Sequence, residues 1–313
     1  MAALLCLPGC GSVMELGDSS GAGRREVPAA RSKPLAEPTA GPGQLHFVDY
    51  FGGRVVSRME VIQVLYGAGS YLPEVTSAGT PSLASFYRGV LDSEYVDWLA
   101  EYDTPAQSIR RGRFVQQVTI APSARNRGAL IDDRDIQAEL SAQIAAGHLP
   151  APHADPAGNN NTYYAVFFPH DQTITVNGAA SCASFCAYHS AIADAGGTGE
   201  IYYGVHPDMQ PGSGCEAVCG AEPTAFDRYT VIASHEMIET ITDPEIGLTP
   251  GFPAAFPMAW NDSDTSEGEI ADLCNQQFTT ILGRDGVPYR VQTAYSRRAG
   301  RCVATRPGAT DRR

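Results

Sequence analysis

The segment 224–247, TAFDRYTVIASHEMIETITDPEIG, constrains the fold more than any other stretch of the chain. Thr224 and Asp227 have the spacing of a capping box, and Pro244 with Gly247 supplies the stop, so the sequence predicts one helix between them. Phe226, Tyr229, Val231, Ile232, Ala233, Met237, Ile238 and Ile241 fall on nearly every side of its wheel. A helix apolar all round belongs in a protein interior.

Into that interior the sequence places His235, Glu236 and Glu239. Burying such groups costs several kcal/mol unless each is paired or bound to a metal. His235 and Glu239 lie four residues apart and share a helix face, as the two histidines of the zinc motif H-E-x-x-H do. Carboxylate is an ordinary zinc ligand, so H-E-x-x-E still offers a His/Glu pair, and Glu236 occupies the general-base position beside it. A third ligand is expected from the acidic stretch WNDSDTSEGEIADLC, where GEIADLC reads as an ordered turn pinned by Cys274. Glu269 is the first choice, Asp272 the second and Asp243 the third. Clustered Asp and Glu also suit calcium, whereas the imidazole argues for zinc. A third reading needs no ion, the helix carboxylates being satisfied by Arg228 or other partners. His189, in CASFCAYHSA, is read as a hydrogen-bond donor to substrate, a fourth ligand, or a histidine satisfied in the fold. The histidines at 148, 153, 170 and 206 receive no role.

The chain carries 22 Lys and Arg against 35 Asp and Glu, a net charge of −13, which argues against a protein that tracks nucleic-acid phosphates. Its opening, MAALLCLPGC, is similar to a lipobox in which Cys10 is lipidated, although the basic n-region is missing and the apolar run is short. Residues 1–10 are therefore read as an apparent lipoprotein signal and 11–43, rich in Gly, Pro, Ser and Ala, as a flexible tether. A single body spans 44–304, and 305–313 form a polar tail. Membrane contact is expected only through that N-terminal lipid. The remaining six cysteines, in an exported chain, read as disulfides, with Cys182–Cys186, Cys215–Cys219 and Cys274–Cys302 as the simplest pairing and zinc binding by the close pairs as the rival.

Along the body, 55–66 reads as a strand and 80–102 as one amphipathic helix carrying Leu83, Phe86, Val90, Tyr95, Trp98 and Tyr102. A strand over 113–120, a helix bearing Ile136, Leu140 and Ile144 that stops at Gly147, and strands at 162–168 and 200–205 follow. That alternation predicts an α/β (α+β) fold with helices packed on a mixed sheet and disulfide-pinned loops.

The order GGRVVSRMEVIQVLYG, CASFCAYHSA, IYYGVHPDMQPGSGCEAVCG, a helix ending in TDP, and GEIADLC resembles the EXORDIUM-like (phosphate-induced) family of exported plant proteins and their bacterial relatives over 44–304. Plant members are described in terms of growth and the cell wall. Bacterial relatives with S-H-E-x-x-E-x-x-T-D-P, matched here by Ser234, His235, Glu236, Glu239, Thr242, Asp243 and Pro244, look like zincin-type metalloproteases. The resemblance implies a zincin-like fold, zinc as cofactor and a peptide or protein substrate in an extracytoplasmic setting. The alternative it leaves is a non-enzymatic module that binds a cell-wall component and carries a structural calcium or zinc.

Overall fold

The computed structural model describes residues 3–6, 46–193, 200–220, 222–246, 258–263 and 268–306. Cys10, the tether, Gly247, Asp264, Glu267 and the end of the tail lie outside the described residues.

The centre is a six-stranded mixed sheet. Its strands are β1 (Ala3–Cys6), β2 (Glu60–Tyr66), β3 (Arg113–Ile120), β4 (Thr162–Phe167), β5 (Phe185–Ile192) and β6 (Ile201–His206), in the order β1-β5-β6-β4-β2-β3. The run β6-β4-β2-β3 is parallel, whereas β5 pairs antiparallel with both β6 and β1. Side chains alternate across a strand, and the alternation here feeds two apolar layers. Val61, Leu65, Tyr163, Ala165, Phe167, Ala187 and Tyr202 face one layer, whereas Ile62, Val64, Tyr164, Val166, Tyr188 and Tyr203 face the other. Strands apolar on both faces need cover on both, which is why they read as continuous hydrophobic runs.

Helix α2 (Asp133–Ala145) covers the second face through Ile136, Leu140 and Ile144. The first face is covered by α1 (Leu83–Leu91) and by α3 (Ala225–Thr242), which buries Tyr229, Ile232, Ala233, Met237, Ile238 and Ile241. Thr224 caps α3 by accepting from the backbone N–H of Asp227 at 3.0 Å. The α/β (α+β) architecture and the buried helix are thus as the sequence predicts.

Three expectations need correction. The predicted strand over 55–66 starts only at Glu60, because Val56 donates its N–H to the Ile241 carbonyl at the end of α3, and Val55 pairs with the side chain of Gln107. The single helix expected over 80–102 is three pieces: α1, a short turn at Glu94–Asp97 and a 3-10 turn at Trp98–Tyr102. Ser93 interrupts it, adopting an extended conformation and accepting from Tyr95 N–H as a fresh N-cap.

The third correction concerns the cysteines. Cys274–Cys302 is bonded as expected, but Cys182 pairs with Cys215 and Cys186 with Cys219, not Cys182 with Cys186 or Cys215 with Cys219. Cys182 sits in the turn before β5 and Cys186 within β5, beside the 3-10 turn Cys215–Ala217. Each of these two bridges therefore staples the entry of β5 to the segment that leads into α3. All six cysteines are consumed, which excludes the zinc reading of the close pairs.

Candidate metal centre

Helix α3 and strand β5 face each other across the first apolar layer. On β5 the inward positions alternate as Ala187, His189 and Ala191, so two small residues flank the one imidazole that points at α3. On α3, His235 and Glu239 share a face, and His235 Nε2 lies 3.1 Å from Glu239 Oε2. His189 Nδ1 lies 3.4 Å from Glu236 Oε2 and 3.7 Å from Glu239 Oε2.

The acidic turn closes the site from a third direction. His235 Nε2 stands 3.4 Å from Asp272 Oδ1, and Glu269 Oε1 stands 3.4 Å from His189 Nε2. This reverses the expected order of choice for the third ligand: Asp272 joins His235 and Glu239, whereas Glu269 lies on the His189 side. One turn of chain separates the two residues, and only Asp272 opens the short 3-10 turn Asp272–Cys274 that runs beside His235. Asp243, the remaining choice, accepts from Ala259 N–H at 2.8 Å, and its carbonyl accepts from His189 Nε2 at 3.3 Å.

Neighbouring bonds hold these groups in place. Gln292 donates its backbone N–H to Ser234 Oγ at 3.0 Å and its side-chain amide to the Ala271 carbonyl at 2.7 Å, tying α3 to the acidic turn. The Cys274–Cys302 bridge fixes the end of that turn, as the sequence suggested. Arg228, offered above as a partner for the helix carboxylates, donates instead to the carbonyls of Glu222 and Met209. The partners that meet the helix carboxylates are His189, His235 and the Asp272 N–H.

His189, His235, Glu236, Glu239, Asp243 and Glu269 are buried, while the Asp272 side chain keeps 19% of its exposure. Buried polar atoms normally find partners. Here Glu236 Oε1, Glu239 Oε2, Asp243 Oδ2 and both oxygens of Glu269 accept no hydrogen bond, and His235 Nδ1 has no partner.

The charges are strongly coupled. Burial raises the Glu236 carboxyl above its usual range against the pull of His235 and His189. Burial and the neighbouring Glu269 hold Asp243 well above the carboxylate range, and burial, opposed by His189 and reinforced by Glu239, carries Glu269 to about 8. Glu239 moves the other way: burial would raise it, but His235, His189 and the Asp272 N–H together hold it low. Burial also acts against both imidazolium ions, yet the surrounding carboxylates keep His189 and His235 well above the ordinary histidine value. A cation bound here would compete with the protons on the raised groups.

Among the described residues, two groups of three have ligand atoms within 4.8 Å of one another: His189, Glu236 and Glu239, and His235, Glu239 and Asp272. The donor set, imidazole nitrogen with carboxylate oxygen, suits zinc or another first-row divalent ion.

Two tyrosines add to the residues singled out from sequence. Tyr87 and Tyr163 are fully buried with unpartnered hydroxyls, and burial followed by charged neighbours that include Glu236 pushes both phenols well up. A Cβ on Gly204 would stand 1.8 Å from Tyr163 Oη, so the glycine of β6 makes room for that hydroxyl. Sequence could flag Tyr163 only as one apolar strand residue among several.

Comparison of the chain with family models, with curated proteins and with solved structures found no match.

Proposed function

We propose that the chain is an exported metal-dependent hydrolase, a zinc peptidase of zincin-like type on the bacterial branch of the EXORDIUM-like resemblance. The observation that carries the reading is the convergence of His235, Glu239 and Asp272 around one unsatisfied carboxylate oxygen, with Glu236 one residue along the same helix. His235, Glu239 and Asp272 would hold the ion. Zinc there would supply Lewis-acid polarisation of a carbonyl and lower the pKa of a water toward neutrality.

The chain's own groups do the rest. Glu236, whose carboxyl lies above its usual range, accepts the proton of the attacking water. His189 Nδ1 stands 3.4 Å from Glu236 Oε2 and keeps that carboxylate oriented. Tyr87 and Tyr163 have free hydroxyls to donate to a developing oxyanion. Three disulfides support an oxidising, extracytoplasmic setting, with lipid attached at Cys10 or the chain secreted. No helix among the described residues is long and apolar enough to cross a membrane.

A second reading, a structural calcium or zinc site in a cell-surface or wall-associated module, is favoured by the burial of His189, Glu236 and Glu239. Hydrolysis of a mixed peptide library by the zinc-loaded full chain separates the two. The peptidase reading expects turnover that falls by about 10²- to 10⁴-fold in Glu236→Gln while zinc stays on His235. A protein that holds its ion, cleaves nothing and unfolds on chelation supports the structural site.

A further inference from the structure

We infer that the buried cluster is built for two divalent cations side by side, with Glu239 as the carboxylate that bridges them. The inference rests on the metal reading above but not on hydrolysis.

Glu239 belongs to both ligand groups, with His235 and Asp272 on one side and His189 and Glu236 on the other, and its Oε2 faces both histidines. Ligand atoms about 2.1 Å from a tetrahedral ion lie about 3.4 Å from one another. The contacts in the first group measure 3.1 and 3.4 Å, and those in the second 3.4 and 3.7 Å. Two of the three edges in each group thus lie near that spacing, and the third falls within 4.8 Å. Each group also contains one histidine, and His189 is oriented as a ligand is: its Nε2 donates to the Asp243 carbonyl, leaving Nδ1 toward Glu236 and Glu239.

Glu236, Glu239, Asp243, Glu269 and Asp272 gather five carboxyl groups around two imidazoles, and among the described residues no lysine or arginine is paired with any of them. One divalent ion on the His235 side leaves Glu236 Oε1 without a partner on the His189 side. A second ion on His189 Nδ1 would draw on Glu236 and on the same Glu239 Oε2. Glu236 can give Oε2 to it and retain Oε1, which has no partner, as the proton acceptor.

The test is stoichiometry. The full chain, stripped with chelator and dialysed against buffered zinc, is analysed for zinc per chain, with circular dichroism as the folding control. Two ions per wild-type chain, one each in His189→Ala and His235→Ala, and loss of both in Glu239→Gln are expected. His189→Gln and Glu236→Gln serve as milder probes of the second ion, each expected to lower the count from two to one. Cobalt substitution gives a second readout, since bridged ions couple magnetically and removal of either histidine abolishes the coupling. One ion per wild-type chain, whichever histidine holds it, overturns the pair and leaves the single-metal reading standing. No ion in the wild type overturns both.

Discussion

Asp272 donates its backbone N–H to Glu239 Oε1 at 3.0 Å, and that bond decides which oxygen of Glu239 is left for the histidines. Oε1 is satisfied, so Oε2 is turned toward His235 and His189 without a donor of its own. The acidic turn therefore contributes twice, a carboxylate from its side chain and a fixed rotamer from its backbone.

Glu239→Gln isolates this role, because an amide oxygen still accepts from Asp272 while the charge is gone. Chelation is expected to lower the stability of the wild-type protein, by about 2.7 kcal/mol when free zinc had stood at one hundred times its dissociation constant. The variant is expected to show almost no chelator dependence. Zinc affinity should rise with pH, since His189 and His235 sit above the ordinary histidine value and must release their protons to bind. Denaturation with and without chelator, at two pH values, measures both effects.

The crossed disulfides predict a definite peptide map. Proteolysis without reductant should release fragments joining Cys182 to Cys215 and Cys186 to Cys219, and none closed within CASFC or CEAVC. Each bridge spans 33 residues, so a Cys186→Ala/Cys219→Ala protein is expected to lose about 3–4 kcal/mol in the chain-entropy account. Recovery of a Cys182–Cys186 fragment would sink the arrangement.

Physical reasons separate what the sequence made legible from what it did not. Helix α3 was readable because its cap is local and its apolar residues cover the whole wheel, which leaves no solvent-facing alternative. His235, Glu236 and Glu239 followed from it. Strand β5 was not, because Ala187, Ser190 and Ala191 carry little strand propensity and the burial that makes the strand comes from α3 and the neighbouring strands. His189 therefore surfaced as a residue near cysteines, not as one facing α3. The choice between Glu269 and Asp272 depends on which way a 3-10 turn presents its side chains, a property of tertiary packing. The crossed pairing of the cysteines likewise depends on two segments meeting in space.

Gly204→Ala tests the space reserved for Tyr163. The added methyl would stand 1.8 Å from Oη and 2.7 Å from Cζ of a fully buried ring. Overpacking of this kind costs about 1–3 kcal/mol. Tyr163→Phe removes the hydroxyl and is expected to be close to neutral for stability, because the oxygen has no partner to lose. Combined, the two changes should cost less than Gly204→Ala alone, a non-additivity read from denaturant midpoints. Strict additivity would mean that the hydroxyl does not occupy the glycine's space.

His206 predicts an acid limb of stability that is independent of any metal. Its ring is buried against Phe167, with Nδ1–H donating to the Val166 carbonyl at 3.1 Å and Nε2 without a partner. Burial lowers its pKa to about 3, so the folded protein keeps the ring neutral where an unfolded chain, near 6.5, binds a proton. Above pH 6.5 both states are neutral and the residue contributes no pH dependence. Between 6.5 and about 3 the unfolded state alone takes up the proton, and stability falls by up to about 1.4 kcal/mol per pH unit. His206→Phe gives up the hydrogen bond to Val166 and should be less stable at pH 8, yet show a shallower decline on acidification. Equal slopes for the two proteins over pH 6 to 4 would show that His206 is protonated in the folded state.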